Sequence, residues 1–445
     1  MGIKDKKIIV AGGGHGGIGA AMRLAQYGFD VTVYEKHDRE SMGHDWTDIF
    51  DRKGFTCLGI PMPDRSLYNL KHDMTFYGPS LDIPLTQNVP EDQLEIQMER
   101  KDIYNHLISH AEKAGVKFVY NCEITGPVLI GNRVVGIKTS DGEKQADLVI
   151  DACGMYSPVR MNLPSSFGIQ KNLKPFETFY VYRAFYNKAC EVEDVDKYKV
   201  LLLPEGGEGI SWVATEEDHT DVLIGRFHPF TLDEAIATVD RMRKTNPSIG
   251  EEKLRGGQFA TIPLRQPLGI MVADGYAAIG DSAFMTVPVI GSGIANSLKA
   301  AKILADTIIH DVSCSYSAET LWKYQKNFYK ELGNGLAPLA CIKMMLARFT
   351  GDDLDHVFRY KILNAEDMTI GADSNNLTSM MKVSDATVIP TKLYGLSKNK
   401  QVTVKVCKMG YDLARAVAIT LAMPKTYNRK AILKWVKEYN KPFAF

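Results

Sequence analysis

A short β-branched run followed at once by clustered glycines constrains the fold of this 445-residue chain more than any other feature. Residues 8–11 read Ile-Ile-Val-Ala, which is typical of a buried parallel strand. Gly12, Gly14 and Gly17 then fit the spacing GxGxxG. In that motif the first glycine allows a tight turn, the second lets the backbone approach a pyrophosphate, and the third lets helix and strand pack closely. The pattern predicts a strand, a turn and a helix that bind a nucleotide, although glycine-rich turns without a nucleotide also occur.

A second strand supports the nucleotide prediction. The helix is expected to run to about Tyr27 and to close at Gly28, and residues 30–35 then predict a strand that ends in Glu35. A carboxylate at this position accepts hydrogen bonds from both ribose hydroxyls of an adenosine and disfavours a 2′-phosphate. The order strand, turn, helix, strand and terminal acid therefore indicates NAD or FAD and not NADP.

Three later segments decide between these dinucleotides. Residues 146–154 predict another buried strand that leads into residues 156–160, and Arg100 precedes a predicted helix over 101–114. Residues 276–283 lead through Pro288–Ile294 into a long helix that is expected to end near Ile309. Together with the glycine motif, these segments resemble the FAD-binding core of the para-hydroxybenzoate hydroxylase-like flavoproteins over roughly residues 5–310.

The resemblance implies FAD as the cofactor and assigns residues to it. Asp281 matches the aspartate that holds the ribityl chain, and the turn before Ile294 places a helix N-terminus beside the flavin. A positive helix end there stabilises the negative charge of reduced flavin. The residues expected to bind the cofactor are Gly12, Gly14, Gly16, Gly17, Glu35, Lys36, Arg100, Gly154, Asp281, Gly291, Gly293 and Ile294.

Residues 151–154 point to one branch of that family. Oxygen-inserting members usually carry Asp-Gly where this chain has Cys153-Gly154. The sequence Asp-Ala-Cys-Gly is more similar to the geranylgeranyl reductase branch, which uses reduced FAD to hydrogenate the double bonds of isoprenoid chains. Residues 204–212 resemble the segment of that branch that lines the substrate cavity and contains a tryptophan, here Trp212, but no proline follows it. The branch's Cys-Gly signature after the second strand is replaced by residues 42–51. These departures concern the substrate and leave the flavin prediction unchanged.

The replaced segment supplies the candidate catalytic residues His44, Asp45 and Trp46. Hydride transfer from flavin N5 to a double bond requires one proton donor near the second carbon, and His44 or Asp45 is suited to that role once its pKa is tuned. Capping of the loop by Asp45 and Asp48 is the structural alternative. Cys57, a little further along, is expected to be inert.

The predicted fold class is α/β: a Rossmann-like FAD-binding domain, an antiparallel β substrate domain and a C-terminal helical region. We assign residues 1–67, 91–174 and 255–310 to the first, 68–90 and 175–254 to the second, and 311–445 to the third. Tyr180, Tyr182 and Tyr186 share one face of a predicted strand. Tyr180 and Tyr182, with Trp212, are candidate substrate contacts, and packing is the alternative for the tyrosines.

Charge is balanced overall but not along the chain. The 53 basic and 53 acidic residues exclude a uniformly basic nucleic-acid binder, and no nucleic-acid partner is expected. Residues 381–445 nevertheless carry 13 basic and 3 acidic residues. Residues 428–440 predict a basic amphipathic helix. The helix either packs on the acidic remainder of the protein or on a second subunit and leaves its basic face to solvent, or it is attracted to an anionic membrane surface or to a phosphorylated substrate.

The remaining features limit partners and location. Seven cysteines without short spacings predict neither a disulfide framework nor a metal site. No signal peptide and no spanning apolar run are expected, which predicts a cytoplasmic protein, at most peripheral on the inner membrane surface. The electron donor is not identified by the sequence, and a homodimer is left open.

The functional prediction is an FAD-dependent oxidoreductase. It reduces, or desaturates, a carbon–carbon double bond in a small, largely apolar substrate of isoprenoid or polycyclic type. A flavin-dependent aromatic monooxygenase and a non-catalytic flavin-bearing binding module are the alternatives.

Overall fold

The structure, a computed structural model, describes residues 6–204, 207–370 and 386–443. Glu205 and Gly206 of the predicted tryptophan segment lie outside these ranges, as do the ends of the predicted domains at 1–5 and 444–445. The strands are β1 Lys7–Ala11, β2 Asp30–Tyr34, β3 Thr47–Phe50, β4 Tyr68–Leu70, β5 Thr75–Tyr77, β6 Leu85–Thr86, β7 Ile96–Glu99, β8 Lys117–Val119, β9 Ile124–Ile130, β10 Arg133–Thr139, β11 Gly142–Gln145, β12 Leu148–Asp151, β13 Thr178–Lys188, β14 Tyr198–Leu202, β15 Ile210–Thr215, β16 His219–Arg226, β17 Ile249–Pro263, β18 Val272–Ala273 and β19 Tyr276–Ala278.

Helices dominate the last third of the chain. Those described are α1 His15–Gln26, α2 Lys53–Thr56, α3 Arg100–Lys113, α4 Pro158–Met161, α5 Asp194–Lys197, α6 Leu232–Arg243, α7 Ile294–Ile309, α8 Ala318–Phe328, α9 Asn334–Leu346, α10 Gly351–Arg359, α11 Ala365–Ile370, α12 Ile389–Ser397, α13 Lys400–Leu421 and α14 Arg429–Tyr439. A π-helical turn, Tyr329–Gly333, joins α8 to α9. In the part of the chain described, no helix is long and apolar enough to cross a membrane.

A six-stranded sheet forms the Rossmann-like domain. Its strand order is β18-β19-β12-β1-β2-β8, and every pairing is parallel except that of β18 with β19. β1 lies inside the sheet, which is why its residues after Lys7 are all buried. α1 returns the chain from β1 to β2 and ends as the sequence predicts, because Gly28 adopts φ +89° and donates its N–H to Ala25 O.

A seven-stranded sheet forms the second domain, in the order β17-β13-β16-β15-β14-β5-β6. It is antiparallel except where β14 pairs with β5. The predicted domain boundary at 254/255 falls inside β17, which pairs with β13 from Ile249 to Pro263, so the sheet extends past that boundary. The predicted boundary at residue 68 is also displaced, because β4 pairs with β7 in a separate sheet of the order β3-β7-β4.

The basic amphipathic helix predicted near the C-terminus is α14. Its apolar side packs into the main core through Ile432, Trp435 and Tyr439. Trp435 Nε1 donates to Ile419 O at 2.8 Å, and the Tyr439 hydroxyl donates to Pro267 O at 2.9 Å. The apolar face of α14 is therefore buried within its own chain.

Candidate active site

One cavity of about 1620 Å³ lies between the two large sheets and the C-terminal helices. All twelve residues expected to bind the cofactor line it. Of the other candidates, His44, Trp46 and Trp212 line it as well. The cavity has two chemically different ends.

The glycine turn after β1 is shaped by close backbone approach. A Cβ atom on Gly12 or on Gly14 would lie 2.8 Å from Ala152 O, and Gly12 has φ +87°. A Cβ atom on Gly17 would lie 2.6 Å from Ala152 Cβ, so the third glycine permits helix and strand to pack. Gly14 caps α1 without a side-chain hydrogen bond. The N–H groups of the first turn are thus available to a phosphate, as a bound pyrophosphate requires.

Glu35 is held in place at the end of β2. Its Oε2 accepts from Gly13 N at 2.7 Å, and its Oε1 accepts from His37 N at 3.0 Å. The carboxylate therefore lies beside the glycine turn, where an adenosine ribose would meet it. Lys36 lines the cavity next to it.

Asp281 and the start of α7 form a second polar wall. The Thr286 hydroxyl donates to Asp281 Oδ1 at 2.7 Å, and burial raises the pKa of Asp281. α7 begins at Ile294 after Gly293, which supplies no side-chain cap. A partly buried carboxylate next to an uncapped helix N-terminus fits a hydroxyl-bearing chain that leads to an anionic ring.

Arg100 forms an ion pair with Asp48, a residue that the sequence suggested only as a loop cap. Its Nε donates to Asp48 Oδ2 at 2.6 Å and its Nη2 to Asp48 Oδ1 at 2.5 Å. Burial alone would raise the pKa of Asp48, but the Arg100 guanidinium outweighs burial and lowers it. Both side chains are mostly buried and line the cavity. The two charges thus compensate each other beside the proposed flavin position.

His15 is a second cavity residue that the motif analysis passed over. Its ring stacks on Tyr104 with centroids 4.4 Å apart. Burial, followed by the charge of Arg100, lowers the pKa of His15 to about 4. The sequence carries one signal for this residue, because a histidine stands inside the GxGxxG spacing.

We name the glycine turn, Glu35, Asp48, Arg100 and Asp281 the charged end of the cavity.

The three predicted catalytic residues separate in the structure. His44 lines the cavity and stacks on Trp46 with centroids 4.6 Å apart. Burial, followed by the charge of Arg100, lowers the pKa of His44 to about 4. Asp45 is exposed and turns away, because its carboxylate binds Arg255 Nη1 at 2.9 Å and Gly256 N at 3.1 Å. The proposal of Asp45 as a proton donor is therefore wrong, and its alternative, a structural role in the loop, fits the contacts.

The face of β13 that carries Tyr180 and Tyr182, predicted to contact the substrate, lies on the side of the strand away from the cavity. Tyr182 packs in a hydrophobic cluster with Ala235 and Val239 of α6, and Tyr180 packs against the same cluster. The residues of β13 that line the cavity are those of the opposite face, namely Phe179, Val181 and Arg183. Tyr180 and Tyr182 are packing residues because α6 covers their face of the sheet.

Arg183 connects the loop of residues 42–51 to this sheet. It is 3% exposed and binds Asp221 through Nε at 2.9 Å and through Nη2 at 2.5 Å. It also donates to Thr47 Oγ1 at 2.7 Å and to Thr47 O. Its guanidinium carbon lies 4.8 Å from the centre of the Trp212 ring. The buried pair of Arg183 and Asp221 fixes Thr47, the residue that follows Trp46. It thereby holds the loop of residues 42–51 against the cavity.

Apolar side chains from separate parts of the chain form the other end. We name this the apolar end. The residues that define it belong to one hydrophobic cluster and line the cavity: Met74, Phe76, Val200, Leu202, Met345, Leu346, Leu363, Met368 and Met409. Leu339, Ile342 and Leu413 also line the cavity. Asp367 is a charged lining residue bound to Lys392 at 2.7 Å. No sequence motif predicts this end.

Comparisons with known proteins agree with this geometry. The FAD dependent oxidoreductase family matches residues 97–306, and the NAD(P)-binding Rossmann-like domain matches residues 10–57. The digeranylgeranylglycerophospholipid reductase of Sulfolobus acidocaldarius is 24% identical over 386 residues, covering 83% of this chain and 84% of the relative. That of Methanothrix thermoacetophila is 23% identical over 359 residues, covering 78% and 89%.

Solved structures show the same fold. A geranylgeranyl bacteriochlorophyll reductase-like protein from Thermoplasma acidophilum superposes with a TM-score of 0.70 at 20% identity, over 91% of this chain and 99% of its own. A probable FAD-dependent monooxygenase from Pseudomonas aeruginosa superposes with a TM-score of 0.58 at 17% identity, over 80% and 99%.

Fold, site and comparisons define an FAD-dependent oxidoreductase, and FAD is its cofactor. Within that class the chain is similar to the digeranylgeranylglycerophospholipid reductases and to the geranylgeranyl bacteriochlorophyll reductase-like protein. The predictions of fold class, cofactor and branch are confirmed. Apart from Asp45, Tyr180 and Tyr182, the roles of individual residues stay predictions.

Proposed function

We propose that this protein reduces carbon–carbon double bonds of a long isoprenoid chain with electrons taken from reduced FAD. The observation that carries the proposal is the single cavity that joins the charged end to the apolar end. Its volume of about 1620 Å³ exceeds the roughly 300 to 1,000 Å³ typical of a site for one ligand. Two ligands, a dinucleotide and an extended apolar chain, suit such a space. The curated relatives are named for the reduction of a digeranylgeranylglycerophospholipid.

FAD supplies hydride chemistry at its N5 atom when it is bound. The charged end holds it in the proposed arrangement: the first turn of α1 binds the pyrophosphate, Glu35 binds the ribose and Asp281 binds the ribityl hydroxyls. The N-terminus of α7 stabilises negative charge on the ring.

The apolar end binds the isoprenoid chain by excluding water from it. Each buried methylene contributes about 0.8 kcal/mol, so a long chain gains affinity without polar contacts. Three of its methionines, Met345, Met368 and Met409, adapt to a branched chain more easily than rigid side chains do. Trp212 stands between the ends as the proposed contact near the reacting double bond.

His44 is the proposed proton donor, because it lines the cavity whereas Asp45 does not. With a pKa of about 4, His44 is protonated in only a small fraction of molecules at neutral pH. If proton transfer limits the rate, the rate rises as the pH falls from 7 toward 4. His44→Gln is expected to lower the reduction rate about 100-fold and to abolish that rise. A rate that is unchanged in this variant removes His44 from the mechanism.

Anaerobic turnover tests the proposal. Enzyme reduced with dithionite is mixed with a geranylgeranyl ether, and flavin absorbance and product mass are recorded. We expect the flavin to reoxidise without oxygen while the product gains two hydrogen atoms for each double bond reduced. Cys57→Ala is the matched control, because burial raises the pKa of this thiol to about 11 and leaves it unreactive. Reoxidation that occurs only after oxygen is admitted indicates a monooxygenase instead. No reoxidation under either condition indicates a binding module.

Peripheral contact with a membrane belongs to the same proposal, because a phospholipid-linked substrate resides in a bilayer. The apolar face of α14 is buried within the chain and is not available for such contact. The contact therefore falls to another basic surface.

A further inference from the structure

Two neighbouring helices leave large apolar side chains in contact with solvent. On α12, Leu393 and Tyr394 are 61% and 57% exposed. On α13, Val404, Tyr411 and Leu421 are 60%, 66% and 64% exposed. The exposed residues Cys407, Ala414 and Ala418 fall between the last three at spacings of three and four, so all six form one stripe along α13. We name these side chains of α12 and α13 the outer face. Single exposed apolar residues are ordinary, but a continuous stripe of this kind marks a contact surface.

The outer face is framed by positive charge. Residues 389–421 contain six basic residues and one acid, Asp412. Four of the basic residues lie in ion pairs with carboxylates, namely Lys392, Lys405, Lys408 and Arg415. The positive charge at the surface is that of Lys398 and Lys400. The Lys398 ammonium lies 4.6 Å from the centre of the Tyr394 ring, which lays its methylene stem along the apolar surface. Lys398 and Lys400 are exposed beside the stripe.

The inner side of α13 faces the cavity. Met409 and Leu413 line it, and Met409 belongs to the apolar end. α13 packs along α9, which supplies Leu339, Ile342 and Met345 to the same wall. A single helix thus separates the outer face from the space proposed for the isoprenoid chain.

We propose that the outer face of α12 and α13 docks on an anionic lipid bilayer, from which the substrate enters the cavity. The proposal rests on the function above for the identity of the substrate. Apolar side chains framed by lysines are the pattern of a helix that lies in a membrane interface. A second copy of the chain fits the surface less well, because the contact would bring together two surfaces of the same positive sign, whereas an anionic bilayer is complementary to it.

Co-sedimentation of the FAD-loaded protein with vesicles tests the docking. We expect binding to phosphatidylcholine vesicles that contain phosphatidylglycerol at low salt, and little binding to pure phosphatidylcholine. The triple substitution Val404→Ser, Tyr411→Ser and Leu421→Ser is expected to weaken binding at least about 10-fold. Lys398→Glu with Lys400→Glu should weaken binding to anionic vesicles by a similar factor. A wild-type protein that fails to bind anionic vesicles at low salt overturns the proposal.

The matched control is Ile130→Ser with Val312→Ser. These residues are 70% and 97% exposed and lie outside α12 and α13, so binding should be unchanged. If the control weakens binding equally, the contact is unspecific and the proposal fails. Sedimentation velocity provides a second readout, and a dimer that the triple substitution dissociates would assign the outer face to a second copy. Anaerobic reduction of detergent-dispersed substrate by the triple variant should stay at the wild-type rate. Loss of docking is thereby distinguished from failure of the proposed chemistry.

Discussion

The two ends of the cavity are built by opposite means. At the charged end, backbone N–H groups, carboxylates and one mostly buried ion pair supply the contacts, and most of them come from one βαβ unit with the strand that follows. At the apolar end, methionine, leucine and phenylalanine side chains come from β5, β14, α9, α11 and α13, and Asp367 with its partner Lys392 is the charge beside them. Charged groups require fixed partners, whereas apolar groups require only that water be excluded. The charged end should therefore be intolerant of single substitutions, and the apolar end should respond in proportion to volume.

The largest effect is expected at the glycine turn. Gly14→Val places side-chain atoms against Ala152 O, where even a Cβ atom would lie 2.8 Å away. We expect the purified variant to contain no bound flavin, as measured by visible absorbance. Gly410→Ala is the control, since a Cβ atom there has nothing within 4 Å. Retention of a full complement of FAD by the Gly14 variant would contradict the assignment of this turn to the pyrophosphate.

Asp48→Asn is expected to destabilise the flavin-free protein by about 3 to 5 kcal/mol, because it leaves the charge of Arg100 buried and uncompensated. Urea unfolding measures the change. Adding Arg100→Met should recover much of the loss. The control is Asp30→Asn, whose partner Lys117 is 67% exposed and whose loss should cost less than about 1 kcal/mol. Equal effects of the two single substitutions would show that the charged end has no special sensitivity.

Stability should depend on pH at the charged end. Because the pKa of His15 is lowered from 6.5 to about 4, the unfolded chain binds a proton below pH 6.5 that the folded protein refuses until about pH 4. The contribution of neutral His15 to the free energy of unfolding is thus fully present above pH 6.5. About 3 kcal/mol of it is lost as the pH falls from 6.5 to 4. Urea unfolding of flavin-free protein at several pH values should show this loss in wild type, with His15→Gln less sensitive by that amount. Parallel curves for the two proteins would contradict the buried neutral imidazole.

The apolar end should show a graded response. Met409→Trp shortens the space for the substrate, so that about three methylenes lose burial and kcat/KM for a long chain falls about 60-fold. A short prenyl substrate should be affected little, and the flavin spectrum should not change. Gln401→Trp on the exposed side of α13 is the control. An equal loss for long and short substrates would place the chain elsewhere.

The contrast between the ends also explains what the sequence could predict. Gly12, Gly14, Gly17 and Glu35 follow from local spacing, because each acts through the backbone or at the end of a strand. The branch could be inferred from residues 151–154 for the same reason. These positions need no knowledge of distant neighbours.

Errors arose where a distant residue decides the outcome. The sequence around Asp45 is compatible with a proton donor, but in the structure Arg255 of β17 binds its carboxylate. Tyr182 reads as a substrate contact until α6 covers its face, since alternation shows that β13 has two faces but not which of them a helix will cover. Asp48 and Arg100 meet across 52 residues. The apolar end joins segments several hundred residues apart, and hydrophobic residues there look like any other core.

A crystal structure of the FAD-loaded protein with a geranylgeranyl ether tests the central claim most directly. We expect the flavin ring beside Gly293 and the isoprenoid chain running past Trp212 to Met409. An isoprenoid chain bound on the Tyr180 and Tyr182 face, or outside the cavity altogether, would contradict the account.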